Sequence, residues 1–252
     1  MGSRGAATGS RTAPLDPDRI ADARRWVYLC IEKSGLGTGR RTAICNLYSA
    51  ARTQDELRGL FDRRQVDDRL GNLEPRDQIY PDQSAPIVRR GGETIVLQSA
   101  RWGMPSPKQY HSASGIDRGV TNIRNTGSPH WRRWLGPQHR CLVPLTAFAE
   151  PLGKGRGNAW FRFSDDATPM FAGIWVEGWT SIRKLKDGET KDDLFAFLTT
   201  EPNAEVAPIH PKAMPVILTE PEEWETWLAA EWAEAKVLQR PLTDGMLEVV
   251  NG

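Results

Sequence analysis

Short apolar runs separated by turn residues dominate the chain from position 45 onward. Segments 86–89, 94–102, 140–144, 159–163, 171–176, 194–199 and 214–218 are apolar, with turn formers between them such as Gly91-Gly92, the stretch Gly153 to Gly157, and Asp187-Gly188. Runs of that length between turn signals predict strands. Helical spacing is rarer. Leu57, Leu60 and Phe61 share one helical face behind Thr53, a side chain suited to capping. Residues 128–135 predict a second short helix. Its Trp131 and Trp134, three apart, turn to the core and leave Arg132 and Arg133 in solvent. Thr219-Glu220-Pro221-Glu222 has capping-box spacing and precedes Trp224, Trp227 and Leu228 on one helical face. Many short strands and few helices imply an α+β fold, a curled and mostly antiparallel barrel-like sheet with peripheral helices.

The first 44 residues have a different texture. Residues 1–14 are Gly, Ser, Ala, Thr and Arg with little else, the composition of a disordered segment. Asp16-Pro17 reads as an N-cap followed by Pro at the first helical position, predicting a helix over 17–33. Ser34 to Arg41 reads as a glycine-rich linker. The organisation expected is a leader over 1–44 and one catalytic domain over 45–252.

Composition narrows the function. The 252 residues carry 33 basic and 32 acidic side chains, so the chain as a whole is not polybasic. Eight basic residues against four acidic ones fall in 1–44, leaving 25 against 28 in the remainder. A nucleic-acid footprint in the domain must therefore be local. Cys30, Cys45 and Cys141 are an odd number, far apart and without a Cys-x-x-Cys pair. That argues against a disulfide framework or a zinc site and for a reducing compartment. No apolar run is long enough to span a bilayer, and the six-residue run Trp26 to Ile31 is too short for a secretory signal. A cytoplasmic, nucleoid-associated location is expected.

Several polar residues sit in apolar surroundings. Asn122 stands in Thr121-Asn122-Ile123-Arg124, Glu150 follows Phe148-Ala149, and His210 precedes the strand at 214–218. Burying a carboxylate or an imidazole is costly without a partner, so each is either a paired structural group or a site residue. Arg101-Trp102-Gly103-Met104-Pro105 interleaves cation and aromatic, a pattern that suits single-stranded nucleic acid, and a surface role is expected for Trp102. Cys45 by itself reads as a small buried hydrophobe.

The segments occur in a definite order: Cys45-Asn46-Leu47-Tyr48, Tyr80 to Pro86, Arg101 to Pro105, Asn122-Ile123-Arg124, Arg140 to Pro144 with Phe148-Ala149-Glu150, Ala172 to Trp175, Thr199 to Asn203, and Ile209 to Pro215. This ordered set, over about residues 45–245, resembles the SOS-response-associated peptidase (SRAP) family, suicidal sensors of abasic sites in single-stranded DNA. The resemblance implies a one-domain α+β fold with a positively charged groove, no cofactor and no metal. It implies a monomer acting on abasic single-stranded DNA, with roles in the SOS response and in DNA damage repair. It implies that the mature chain begins at Cys45, whose amine and thiol together form a thiazolidine crosslink with the ring-opened sugar. Asn122 and Glu150 would flank the nucleophile and His210 would act as acid and base. Arg124 and Arg101 would hold DNA, and Trp102 would wedge beside the lesion.

The chemistry fits those residue types. An α-amine, with a pKa near ~7.7–8.0, is partly neutral at cellular pH and can condense with an aldehyde. A thiol on the neighbouring carbon then closes a five-membered ring at high effective concentration. His210, at an unperturbed pKa near ~6.5, suits protonation of the sugar oxygen. Three departures stand out. Asn46-Leu47 replaces the family's usual Gly-Arg after the cysteine. Ala149 and Pro151 replace the aromatic pair around the glutamate. Ile44 stands where the family has its initiator Met, so the leader is either a propeptide or an extension from a misassigned gene start. Two other functions remain open at this level: a cysteine autopeptidase of the N-terminal-nucleophile kind, and a non-covalent single-strand binding module.

Overall fold

The computed structural model describes residues 46–153, 155–164 and 167–251. The leader, with its predicted helix and linker, and Cys45 lie outside the described residues. Fourteen strands are present among those described. In chain order they are β1 (Leu47–Ala50), β2 (Val66–Asp68), β3 (Arg76–Ile79), β4 (Ser84–Gly91), β5 (Thr94–Trp102), β6 (Asn122–Ile123) and β7 (Arg140–Pro144). There follow β8 (Ala147–Pro151), β9 (Asn158–Arg162), β10 (Met170–Ile182), β11 (Glu189–Thr200), β12 (Met214–Pro215), β13 (Ile217–Leu218) and β14 (Glu248–Asn251).

Five of these close a ring. β5 pairs with β4, β4 with β7, β7 with β10 and β10 with β11, all antiparallel. β11 then returns to β5 in parallel, setting Leu194 against Arg101 and Phe195 against Trp102. The seam is extended by Gly103 N–H donating to the Phe195 carbonyl at 2.7 Å. A second sheet runs β14-β9-β8-β1-β3, antiparallel throughout. The α+β architecture with a barrel-like core is thus as the pattern implies.

Strand alternation divides the interior into two cores. Along β10, Met170, Ala172, Ile174 and Val176 enter one cluster, while Phe171 and Trp175 enter the other. The first cluster is covered by helices, whose Leu57, Trp131, Trp134, Trp224 and Trp227 pack on Leu97, Leu142 and Leu194 of the ring. The second is covered by the second sheet, through Tyr48, Ile79, Phe148 and Phe161. Gly173 lies at the crossing point of β7 and β10. A Cβ there would stand 2.9 Å from Cys141 Sγ and 3.2 Å from the Ala196 carbonyl, so no larger residue fits without movement. Above it, Trp227 Nε1 donates to the carbonyls of both Cys141 and Gly173, at 2.9 and 3.2 Å.

The helices are short because their stops are strong. Thr53 caps Gln54–Gly59 in a reciprocal capping box with Glu56. The helix expected over 128–135 is a single α turn, Pro129–Arg132, tightened by Trp134 N–H reaching the Trp131 carbonyl, before Gly136-Pro137 ends it. Both indoles are buried and Arg132 and Arg133 exposed, as the spacing requires. The capping box before the last long helix, Pro221–Ala229, is shifted by one residue from the sequence expectation. Its partners are Glu220 and Glu223 rather than Thr219 and Glu222. Pro221, fixed near helical φ and lacking an N–H, takes the first helical position and sets the cap at the residue before it. Among the described residues, no helix is long and apolar enough to cross a membrane.

Candidate functional site

The candidate residues come from the second sheet, from β6 beside β11 and from the loop that follows β11. β1 enters at Leu47, opposite Ala149 of β8, so the residue following Ala149 lies at the mouth of β1. That residue is Glu150, 0% exposed and paired across β9 with Ala159. Tyr48, the next residue of β1, turns inward. Its ring packs edge-on against Trp102 at 5.2 Å and Phe171 at 5.5 Å.

Asn122 approaches from the ring. β6 runs parallel to β11, placing Asn122 beside Phe197 and Ile123 beside Leu198. The Asn122 amide donates to Thr121 Oγ1 at 3.0 Å, and the side chain is buried. One residue past the strand, Arg124 emerges into solvent with a side chain 42% exposed.

His210 comes from the loop that joins β11 to β12. Its backbone N–H donates to the Val206 carbonyl at 2.8 Å, and its Nδ1 lies 2.7 Å from the Ala213 carbonyl. A carbonyl only accepts, so Nδ1 carries the hydrogen and, in the neutral ring, Nε2 holds the lone pair. Nε2 is buried with no hydrogen-bond partner among the described residues. The ring is 2% exposed, and burial pushes its pKa below the usual imidazole range, against the opposing bond to Ala213 and with a smaller push from Lys212. This amends the expectation of an unperturbed imidazole. The same burial disfavours the protonated form of His210.

These groups share one apolar floor. Val206, Ile209 and Met214 around His210 belong to the same cluster as Tyr48, Phe148 and Trp102. Met214 pairs with Thr200 of β11, which ties the His210 loop to the strand beside Asn122. Two further residues of this neighbourhood had no role assigned from sequence. Thr199 Oγ1 and Asn203 Nδ2 are buried with no hydrogen-bond partner among the described residues. Alternation from Phe195 and Phe197 is the signal that sends Thr199 inward.

One expectation is corrected. Trp102 is not a surface residue: it is 1% exposed, donates from Nε1 to the Thr121 carbonyl at 3.0 Å, and packs on Phe197 at 5.1 Å. The Gly-Met-Pro that follows it looks like an exposed turn. β5 nevertheless continues to Trp102, and alternation from Ala100 places the indole inside. Arg101 faces the other way but is not free. It is clamped by Asp82 at 2.7 Å and Asp192 at 3.0 Å, and those bonds and charges raise its pKa against the opposing effect of its own burial. Its fork faces two carboxylates of the protein. Among the described residues, no cluster of three His, Cys, Asp or Glu is placed to hold a metal.

Fold and candidate residues together describe an α+β protein with a buried glutamate beside the start of β1 and a buried imidazole in the loop between β11 and β12. The chain belongs to the SOS response associated peptidase (SRAP) family, which it matches over residues 44–251. No curated protein matches it significantly. Three solved structures share the fold. A protein from Bacteroides thetaiotaomicron is 22% identical, with a TM-score of 0.61, covering 81% of this chain and 90% of its own. A protein from Bordetella bronchiseptica is 21% identical, with a TM-score of 0.60, covering 82% and 99%. A phage-related protein from the same organism is 21% identical, with a TM-score of 0.57, covering 82% and 94%.

Proposed function

We infer that the protein captures abasic sites in single-stranded DNA by covalent attachment, with Cys45 as nucleophile once it stands at the chain terminus. The observation that carries this reading is the pairing of Leu47 with Ala149, which puts the mouth of β1 beside the buried Glu150. Cys45 lies two residues before Leu47, a chain reach of at most about 7 Å.

The chemistry follows in balanced steps. The abasic sugar opens when its C1′ hydroxyl gives a proton to His210 Nε2 and its ring oxygen takes one back, breaking the C1′–O4′ bond and exposing the C1′ aldehyde. The neutral α-amine of Cys45 adds to C1′, and loss of water gives an imine. The thiol then adds to the imine carbon, its proton passing to nitrogen, and a thiazolidine closes. Glu150 accepts protons from the amine and thiol, and His210 carries them to and from the sugar oxygen through Nε2. Burial strengthens both groups' interactions with the charges that develop. Asn122 orients the sugar. Arg124, exposed at the rim, holds a phosphate without reading the base.

None of this proceeds while Cys45 is acylated. An amide nitrogen delocalises its lone pair into the carbonyl and does not form an imine. The peptidase activity after which the family is named supplies a release step. The Cys45 thiol attacks the Ile44 carbonyl, the amide nitrogen leaves as the free amine, and water hydrolyses the resulting thioester.

The test compares three proteins on single-stranded DNA bearing an abasic site: the full chain, a chain beginning at Cys45, and that chain carrying Cys45→Ser. Denaturing electrophoresis should show a stable adduct only with the second. The serine variant should yield at most a labile imine. A stable adduct from Cys45→Ser, or from a full chain whose leader persists on mass analysis, would refute the assignment.

A further inference from the structure

Arg124 reaches the rim of the site already engaged. Its Nη2 lies 3.5 Å from Glu201 Oε2, and its Nη1 donates to the Lys212 carbonyl at 3.3 Å. The pair is set by the backbone. β6 and β11 lie side by side, and Gln239 Nε2 bridges the carbonyls of Arg124 and Thr199 at 2.9 and 3.0 Å. Glu201 is itself oriented: Thr200 Oγ1 donates to the same Oε2 at 3.0 Å. Its own backbone amide, the Thr200 hydroxyl and the Arg124 charge hold its carboxyl below the usual carboxylate range, so it is ionised at cellular pH. Its side chain is 64% exposed, so its charge also faces whatever approaches the guanidinium.

Resting on the reading of Arg124 as a phosphate contact, we propose that Glu201 is an internal competitor for that contact, a carboxylate that occupies the guanidinium until a DNA phosphate displaces it. A phosphate arriving at Arg124 must break the ion pair and then sit beside a like charge. Both effects weaken reversible binding of any single strand, intact or damaged. Neither bears on the covalent step once the sugar is in place. Glu201 thereby lowers occupancy on undamaged DNA and leaves retention to capture of the aldehyde, which only a lesion offers. Selectivity then comes from weak holding combined with irreversible capture rather than from reading the lesion at the rim.

The test measures fluorescence anisotropy of a labelled intact oligonucleotide with the chain beginning at Cys45, as parent, Glu201→Gln, Arg124→Ala and the double variant. Glu201 is exposed, so its neutral isostere leaves the fold intact. Glu201→Gln should tighten binding about three- to fivefold, the scale of one exposed ion pair. The gain should vanish in the Arg124→Ala background. At saturating abasic DNA the crosslinking rate of Glu201→Gln should equal the parent's. Unchanged or weaker binding by Glu201→Gln overturns the proposal and makes Glu201 an aligner of Arg124. A gain that persists without Arg124 also overturns it, reducing the effect to general surface charge. A parent that binds no single-stranded DNA overturns the functional reading and this inference with it. A parent that binds and weakens with Arg124→Ala while Glu201→Gln has no effect overturns this inference alone.

Discussion

Replacing Trp102 separates a core residue from a DNA wedge. In Trp102→Ala the lost indole leaves a void between Tyr48, Phe195 and Phe197, and the Thr121 carbonyl loses its donor. Truncating a buried Trp costs about 3–5 kcal/mol. At roughly 2–4 °C per kcal/mol for a domain of this size, the melting temperature should fall by about 6–20 °C. Trp102→Phe keeps most of the volume and loses only the hydrogen bond, a cost of about 1–3 kcal/mol. The assay pairs thermal unfolding with the rate of adduct formation, normalised to folded protein. On the proposed mechanism, Trp102→Phe should be less stable yet crosslink within about threefold of the parent, since the groups proposed as general acid and base, such groups being worth about 10²–10⁴-fold, are untouched. A Trp102→Ala protein with an unchanged melting temperature and lost crosslinking would show that the indole serves the DNA.

Three further outcomes follow from the same geometry. Burial depresses the pKa of His210, His130 and His139, so the unfolded chain binds more protons than the folded one; stability is full above the ordinary imidazole value and falls as pH drops below about 6.5. Urea midpoints between about pH 7.5 and about pH 5.5, conditions set at about one unit either side of that value, should show the decline, less steeply in His210→Gln; an identical slope would remove His210 from the linkage. Arg124→Ala should weaken binding of intact and abasic strands alike and reduce the salt slope by about 1, read from binding titrations over a salt series. Gly173→Ala should cost about 1–3 kcal/mol by chemical denaturation, because the new methyl meets Cys141 Sγ, and less in a Cys141→Ala background.

Much of the fold is legible in the sequence because the ring strands are apolar on both faces. Each of the seven segments read as strands is one, with the last broken into β12 and β13. The strands that escape notice are short or polar. β2 is Val-Asp-Asp and β3 is Arg-Asp-Gln-Ile, edge segments whose pairing comes from neighbours rather than from their own pattern. β8 carries Glu150 inside Ala-Phe-Ala-Glu-Pro, and no local rule distinguishes a buried carboxylate from an exposed one. The site residues stand out only as an ordered set of segments. Their environment is a tertiary product. The depressed imidazole needs the loop over Val206, and the pinning of Arg101 needs Asp82 and Asp192, which lie far from it in sequence. Trp102 shows the opposite failure, where a turn-like flank hides a strand whose alternation already points inward.

The parallel seam between β5 and β11 also sets a timetable for synthesis. The ring stays open until residues 194 and 195 meet residues 101 and 102, and pairings of such long sequence separation form slowly. The loop bearing His210 and the strand that anchors it emerge from the ribosome later still. Cys45, by contrast, is made early. A nascent chain therefore carries the Cys45 thiol for most of its translation without the His210 imidazole assigned to it in the proposed mechanism, and a chain truncated at the end of β11 lacks that imidazole altogether. On the proposed mechanism, a protein used up in one covalent event would be assembled in an order that withholds the event until its last strands are made.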